Sequence, residues 1–315
     1  MACIRQTCSV IYDLLGADAP CTARNNHTPL RGEQQATIYY DWRRCDEMIN
    51  IGREATVMSD IRFLLKFGQK EHMENLVAGN LYCSNAQTFW GIEDNMKIRG
   101  QGDVLEASTV VYAQSMTMCD PSTHEVLTQI NNQTRCIARV APAKEMPVFC
   151  LFAVFDEDCE LGEDGKIRIK LSEKTKNTIR THFPNADSVV IINNPKSFIE
   201  DVKASIGREI KSELVHYFHI DEGFPAENGQ TAMDMEYMEY VTQDVPPVLE
   251  DGRKTYSFYE DFAYRVLFCK DVFFKDEQEF RFVMPEEHIS VGTNYPVNLR
   301  NTYKIEELES FMREH

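Results

Sequence analysis

The chain has 315 residues, of which 43% are hydrophobic, and it carries 33 lysine and arginine residues against 50 aspartate and glutamate residues. The formal charge of −17 argues against sequence-independent capture of nucleic acid, because such binding needs basic side chains that neutralise phosphates. The hydrophobic fraction excludes a disordered chain, and no apolar run approaches the roughly 20 residues that span a bilayer.

Ten cysteines are scattered along the chain without a close C-x-x-C pair, so neither a zinc ribbon nor a thioredoxin motif is indicated. The start, "MACIRQTCSVIYDLLGADAP", lacks the basic start and the longer apolar stretch of a secretory signal. We therefore expect a cytoplasmic protein with reduced thiols and no membrane partner.

Residues 1–56 differ from the rest of the chain. The polar, turn-rich stretch "CTARNNHTPLRGEQQ" separates an apolar patch from "ATIYYDWRRCDEMINI". We expect residues 1–56 to form an N-terminal appendage that packs outside a single α+β domain of residues 57–315.

From Asp60 onward, the pattern predicts many strands and few helices. "DIRFLLKFG" predicts a strand, "QKEHMENLVAGN" predicts a short helix that ends at Gly79, and "KSFIEDVKASIGREIKSEL" is the clearest later helix. The further predicted strands are "LYCSN", "STVVYAQSMTM", "TRCIARVA", "PVFCLFAVF", "SVVIINN", "VHYFHI", "MEYMEYV", "YRVLFC" and "QEFRFV". Strands outnumber helices without regular alternation, which favours an α+β fold with a mixed, mostly antiparallel sheet.

The stretch "EDNMKIRGQGDVLEAS" is the first candidate site. Arg99, Asp103 and Glu106 flank two glycines, which permit close approaches of the backbone that other residues resist. The alternative interpretation is a surface loop in which Asp103 caps a helix that begins near Val104.

The stretch "FFKDEQEFRFVMP" is the second candidate site. In a strand, Glu277 and Glu279 would share one face, where two carboxylates repel and raise each other's pKa. Three interpretations stay open: a ligand or cation neutralises the two carboxylates, the two carboxylates are solvated or held by Arg281, or they bind Mg²⁺. No lysine follows at E-x-K spacing, so a nuclease of the common restriction type fits poorly.

Three stretches, in this order, resemble a bacterial family known as the domain-of-unknown-function 2971 family. They are "FLLKFGQKEHMENLVAGNLYCSNAQTFWGIEDN", "RGQGDVLEA" and "FFKDEQEFRFV". The family has an L-x-x-G-x-L-Y segment, an acidic turn and a late E-x-E-[YF]-R strand, and the resemblance extends over residues 60–285. It pairs the acidic turn with the late strand, so we expect Asp103 and Glu106 to lie near Glu277 and Glu279.

The order of elements is also similar to ADP-ribosyltransferase folds. That resemblance implies that Glu279 holds the ribose of NAD and faces the positive charge that develops as nicotinamide leaves, while Glu277 orients the acceptor. A fixed carboxylate suits such a transition state. The resemblance also implies that NAD binds as a substrate and that no metal takes part. The other residues that it implies in NAD binding are Lys66, Tyr82, Phe89, Arg99, Asp103, Glu106 and Arg281.

Three functions remain open at this point. The resemblance implies an NAD-using ADP-ribosyltransferase-like or NAD-cleaving enzyme in bacterial or phage conflict, with a small-molecule nucleotide as partner and a protein or nucleic acid as acceptor. The second is a noncatalytic ligand-binding or sensor protein on the same scaffold, because a fold does not fix a function. The third is a metal-dependent nuclease or phosphoesterase that uses Asp103, Glu106, Glu277 and Glu279.

Overall fold

The computed structural model describes residues 36–39, 61–96, 103–113, 116–119, 126–226, 229–242, 255–258 and 260–315. These residues form two compact units. The sheet unit contains Ala143–Tyr217, Leu267–His315 and the described residues from 61 to 106. The second unit contains residues 36–39 and the described residues of Ala107–Pro142 and Phe218–Val266.

The predicted domain of residues 57–315 contributes to both units. Within the predicted appendage of residues 1–56, the described part is the strand Ala36–Tyr39, which pairs antiparallel with Thr255–Phe258. The rest of the predicted appendage lies outside the described residues.

The strands of the described residues, in chain order, are β1 (Ala36–Tyr39), β2 (Phe63–Gly68), β3 (Asn80–Cys83), β4 (Ser108–Ala113), β5 (Met116–Cys119), β6 (Val126–Ile130), β7 (Thr134–Arg139), β8 (Val148–Val154), β9 (Cys159–Leu161), β10 (Ile167–Ile169), β11 (Ser188–Ile192), β12 (Lys211–Leu214), β13 (His216–Phe218), β14 (Phe224–Pro225), β15 (Thr231–Ala232), β16 (Thr255–Phe258), β17 (Cys269–Asp271), β18 (Glu279–Val283), β19 (Thr293–Pro296) and β20 (Lys304–Glu307).

The α-helices are α1 (Lys70–Val77), α2 (Ala86–Met96), α3 (Glu173–His182), α4 (Pro195–Ile206), α5 (Met235–Thr242) and α6 (Leu308–Glu314). The 3₁₀ helices of the described residues cover Ala141–Glu145, Asp156–Asp158, Glu260–Phe268 and Val272–Glu277.

A six-stranded sheet forms the centre of the sheet unit. Its strand order is β12-β18-β8-β2-β11-β20, and every neighbouring pair is antiparallel. The predicted α+β class with antiparallel pairing is therefore confirmed.

The two faces of this sheet carry different side chains. One face, here called the Phe280 face, packs Leu64, Phe149, Phe280 and Phe282 into a buried cluster. The residues that alternate with them point to the other side, here called the Arg281 face. There, Leu65, Phe152 and Val189 pack against residues of α3 and α6, and β18 contributes Glu279 and Arg281.

Helix α1 confirms the predicted short helix. Met73 and Leu76 are buried on one side of it, and the chain turns at Gly79, whose φ is +89°. A side chain at Gly79 would collide with the carbonyl oxygen of Val297, so the close approach of these two segments requires glycine.

The predicted helix "KSFIEDVKASIGREIKSEL" is shorter than expected. Gly207 takes a left-handed conformation and ends α4, a common use of glycine after a helix. The remaining residues Lys211–Leu214 form β12 at the sheet edge, where they pair with β18.

Two predicted strands are helical instead. "MEYMEYV" lies in α5, where Tyr237, Met238 and Val241 are buried, and Asp234 accepts hydrogen bonds from the backbone N–H groups of Glu236 and Tyr237. Such capping favours a helix. "YRVLFC" lies mostly in the 3₁₀ helix Glu260–Phe268. Short apolar runs fit either period, and tertiary packing decides between them.

The second unit is built from two-stranded pairs. β4 pairs with β7, β5 with β6, β14 with β15, and β1 with β16. The Tyr237 hydroxyl of α5 lies 2.8 Å from the Thr109 hydroxyl and donates to the Ser108 carbonyl at 2.9 Å, which fixes α5 against β4. Among the described residues, no helix has the length and apolar character to cross a membrane.

Candidate functional site

Glu277 and Glu279 do not share a strand face. Glu277 ends the 3₁₀ helix Val272–Glu277, Gln278 has a φ of +42°, and the strand begins only at Glu279. The left-handed residue redirects the chain, because non-glycine residues with positive φ occur at turns rather than in strands. The prediction of one continuous strand through both glutamates is therefore wrong.

The two carboxylates nevertheless meet at a lysine. Lys270, on β17, donates from Nζ to Glu277, and the same Nζ lies 3.0 Å from Oε2 of Glu279. Lys270 is 8% exposed, and the two glutamates are each 7% exposed. The buried Lys270 ammonium therefore offsets the repulsion between the two carboxylates that the E-x-E spacing predicts.

Arg281 holds Glu279 and Glu106 with the same guanidinium. Its Nε and Nη2 donate to Glu279 at 2.7 and 3.1 Å, and its Nη1 and Nη2 donate to Glu106 at 2.6 and 3.0 Å. Nη1 also donates to the backbone carbonyl of Leu267. Planar guanidinium groups favour such paired contacts, and both Arg281 and Glu106 are 1% exposed.

We call Glu106, Lys270, Glu277, Glu279 and Arg281 the ionic network. Its five side chains come from the acidic turn, β17, the 3₁₀ helix before β18, and β18 itself. The expectation that Glu106 lies near the late E-x-E is confirmed, since one guanidinium contacts both Glu106 and Glu279.

Two further side chains extend the ionic network. Nδ1 of His182, at the end of α3, lies 2.7 Å from Oε1 of Glu277. The Tyr217 hydroxyl accepts a hydrogen bond of 2.9 Å from the backbone N–H of Glu279. Burial, followed by the charges of Glu279 and Glu277, raises the pKa of Tyr217 above its ordinary value, so this phenol keeps its proton.

Asp103 caps a turn rather than the predicted helix. Its carboxylate accepts a hydrogen bond of 2.8 Å from the backbone N–H of Leu105, and residues 104–107 form turns. Trp90 Nε1 donates to the backbone carbonyl of Glu106 at 2.7 Å, which orients the turn. Burial and the neighbouring Glu106 raise the pKa of Asp103 to about 7, against the opposing charge of Lys270.

The charges of the ionic network determine its protonation. Burial alone would raise the pKa of Glu279, but Arg281 and Lys270 outweigh burial and hold that pKa well below its usual range. Burial likewise opposes the charge on Lys270, but Glu277 and Glu279 raise its pKa. Glu106 and Glu279 do the same for Arg281. Glu279, Lys270 and Arg281 therefore stay charged at neutral pH.

Lys66 and Tyr82 lie away from the ionic network. Lys66 Nζ lies 4.8 Å from the centre of the Phe149 ring, and both residues belong to the Phe280 face. Lys66 and Tyr82 line one cavity. The sheet therefore separates these two predicted NAD-binding residues from Glu279 and Arg281, which point to the opposite face.

The remaining predicted residues have separate positions. Trp90 on α2 is buried and Phe89 is half-buried, which indicates a packing role for this aromatic pair. Arg99 lies outside the described residues. Ser108 and Thr109 of β4 are buried in the second unit, where both contact Tyr237.

Sequence reasoning did not identify Lys270, His182 or Tyr217. Lys270 has a usable signal, because it interrupts the apolar run "RVLFCKDVFF", and a lysine inside such a run is seldom buried without a partner. His182 and Tyr217 reach the network from α3 and β13, about 95 and 60 residues away along the chain, and no local pattern signals such distant contacts.

The ionic network does not fit the metal site of the alternative nuclease or phosphoesterase. The ammonium of Lys270 and the guanidinium of Arg281 occupy the positions between the carboxylates where a cation would bind. Among the described residues, a group with ligand spacing consists of Glu306, Glu314 and His315, which includes none of the predicted carboxylates.

Comparison with protein families, with curated proteins and with solved structures finds no match to this chain. The function of this chain is therefore inferred from the geometry of the site.

Proposed function

We propose that this chain is a noncatalytic ligand-binding protein, in which the E-x-E motif stabilises the sheet unit instead of performing chemistry. The observation that supports this proposal is the saturation of both glutamates. Each carboxylate oxygen of Glu277 and Glu279 contacts Lys270, Arg281 or His182, and both glutamates are buried.

A saturated carboxylate is a weak catalyst for glycosyl transfer from NAD. A group that stabilises a developing positive charge needs negative potential directed at the reacting carbon. Around Glu279, two fixed cations already neutralise that potential, since Arg281 makes two hydrogen bonds to it and Lys270 lies 3.0 Å away.

The ionic network has a clear structural role. Arg281 joins β18 to the acidic turn through Glu106 and to the chain at Leu267, and Lys270 joins β17 to the segment before β18. Buried ion pairs stabilise little by themselves, but removal of one partner leaves an uncompensated buried charge. Any arrangement in which these segments separate therefore has a higher free energy, because it leaves a buried charge without its partner.

A specific observation favours a second candidate, the NAD-using ADP-ribosyltransferase-like enzyme. The acidic turn and the E-x-E meet, as the resemblance implies, and Asp103 has a pKa near 7, which suits proton transfer at neutral pH. In this candidate NAD is the substrate, and Glu279 has to exchange a cation partner for the ribose before it can act.

Nicotinamide release from NAD tests the two candidates. The wild type, Glu279→Gln and the exposed control Glu157→Gln are incubated with NAD, with and without protein and nucleic-acid acceptors. We expect no release from any of them, no change of melting temperature with NAD, and a lower melting temperature for Glu279→Gln alone. Release by the wild type that falls about a hundredfold or more in Glu279→Gln, but not in Glu157→Gln, would establish the enzyme instead.

A further inference from the structure

A cavity of about 210 Å³ lies on the Phe280 face of the sheet unit. Its lining comes from β2, α1, β3 and β8 and includes Lys66, Met73, Leu76, Tyr82 and Phe149. The ionic network lies on the opposite face, so this cavity is a separate feature.

Lys66 supplies a positive charge in this cavity without an acidic partner. Its Nζ donates to the backbone carbonyl of Cys150 at 2.7 Å, which leaves two of the three N–H donors of the ammonium. Within the part of the chain that the structure describes, no carboxylate lies at ion-pair distance from Lys66. Lys196 and Lys203, which also have no acidic partner there, are exposed.

The position of Lys66 therefore favours an anion. Lys66 is half-buried, and a charge that is partly removed from water is costly unless it is paired. The chain carries 50 acidic side chains, yet none of the described ones is placed beside this lysine. An anionic ligand would supply the missing partner.

The walls of the cavity favour a flat apolar group beside that anion. The Phe149 ring lies under Lys66 Nζ, and Met73 and Leu76 of α1 close the apolar side. Tyr82 is 56% exposed and presents a second ring to the cavity. Aromatic and thioether surfaces favour contact with another ring.

The volume limits the ligand to a small molecule. At about 30 Å³ for each water, 210 Å³ holds about seven waters, and pockets for drug-sized ligands measure roughly 300 Å³ or more. A ring that carries one carboxylate fits this limit, whereas NAD is far too large.

We propose that the cavity binds a small aromatic monocarboxylate, with its carboxylate on Lys66 Nζ and its ring against Phe149, Met73 and Leu76. This inference rests on the proposed ligand-binding function and names the class of ligand. In this proposal Tyr82, which also lines the cavity, contacts the ring of the ligand.

Benzoate, benzamide and acetate are the probes, and binding is measured by isothermal titration or by ligand-observed NMR. We expect benzoate to bind with a Kd of about 1 mM, and benzamide and acetate to bind about tenfold more weakly. Lys66→Met keeps the aliphatic stem and removes the charge, so benzoate affinity should fall about tenfold or more. Lys203→Met, a change at an exposed lysine of α4, should leave it unchanged.

Tyr82→Ala is the second variant, because an exposed side chain can be removed without unfolding the chain. We expect it to weaken benzoate binding several-fold at an unchanged melting temperature. Equal binding of benzoate and acetate, or benzoate binding that neither Lys66→Met nor Tyr82→Ala changes, would overturn the inference. An absence of benzoate binding would also overturn the inference, but it would leave the noncatalytic function in place. Nicotinamide release from NAD would overturn the noncatalytic function, whether or not benzoate binds.

Discussion

Strand β18 places two different kinds of interior on the two faces of the sheet. Phe280 and Phe282 pack into a cluster of aromatic and aliphatic side chains, while Glu279 and Arg281 join a buried set of opposite charges. All four side chains are buried. The apolar face gains stability from any well-packed arrangement, but the ionic face tolerates only the arrangement that pairs every charge.

A charged motif in an apolar strand therefore does not by itself indicate a reactive site. The alternation of β18 places Glu279 and Arg281 on one side, where each can neutralise the other. Whether such carboxylates take part in chemistry or only stabilise the fold depends on the number of cations that the rest of the fold supplies. Here Lys270 and Arg281 face Glu106, Glu277 and Glu279.

The largest expected effect comes from the removal of Arg281. Arg281→Met leaves Glu106 and Glu279 buried without their shared partner, which costs about 3–5 kcal/mol of unfolding free energy. Phe282→Ala on the other face should cost a similar amount, about 3–5 kcal/mol, through the cavity that it leaves. Urea unfolding of both variants compares the two faces directly. A loss for Arg281→Met of less than about 1 kcal/mol, typical of a surface pair, would contradict the comparison.

Asp103 gives an intermediate effect that depends on pH. Its pKa of about 7 in the folded chain lies above the ordinary aspartate value of 3.8, so the folded state binds a proton that the unfolded state releases. Its contribution to stability is therefore full below about pH 4 and is lost as the pH rises towards 7. Asp103→Asn should remove this loss, so the variant should be more stable than the wild type at pH 8 by on the order of 2 kcal/mol.

Unfolding free energies at pH 4.5 and pH 8 provide the measurement for Asp103. We expect the wild type and Asp103→Asn to differ little at the lower pH and clearly at the higher one. A difference that stays constant between the two pH values would mean that Asp103 is already ionised throughout the range.

The smallest expected effect comes from a surface pair in the same unit. Arg62 forms an ion pair with Asp156, whose carboxylate is mostly exposed. Although the hydrogen bond from Arg62 lowers the pKa of Asp156, solvent screens exposed pairs. Asp156→Asn should therefore leave the urea midpoint unchanged within error. A decrease of the urea midpoint comparable to that of Arg281→Met would show that burial does not determine how much each ion pair contributes to stability.

Sequence reasoning succeeded where local pattern and composition decide the structure. The strand around Phe280 and Phe282, the helix before Gly79 and the α+β class all follow from residue periodicity and turn residues. It also identified Glu106 and Glu279 as neighbours, although this came from the resemblance and not from their spacing.

Sequence reasoning failed where distant contacts decide the structure. Gln278 turns the chain between the two glutamates, and nothing in "KDEQEF" requires that conformation. Whether Lys66 belongs with Glu279 depends on which face each side chain takes and on the strand order of the sheet. Those properties follow from the complete set of strand pairings, which a single strand does not encode.

A double-mutant cycle for Arg281 and Glu106 tests the structural role of the ionic network most directly. Arg281→Met, Glu106→Gln and their combination are unfolded in urea, with the corresponding cycle for Arg62→Met and Asp156→Asn as the control. We expect a coupling free energy of about 2 kcal/mol or more for the buried pair and no measurable coupling for the exposed pair. A coupling below about 0.5 kcal/mol for Arg281 and Glu106, within the usual error of additivity, would contradict it.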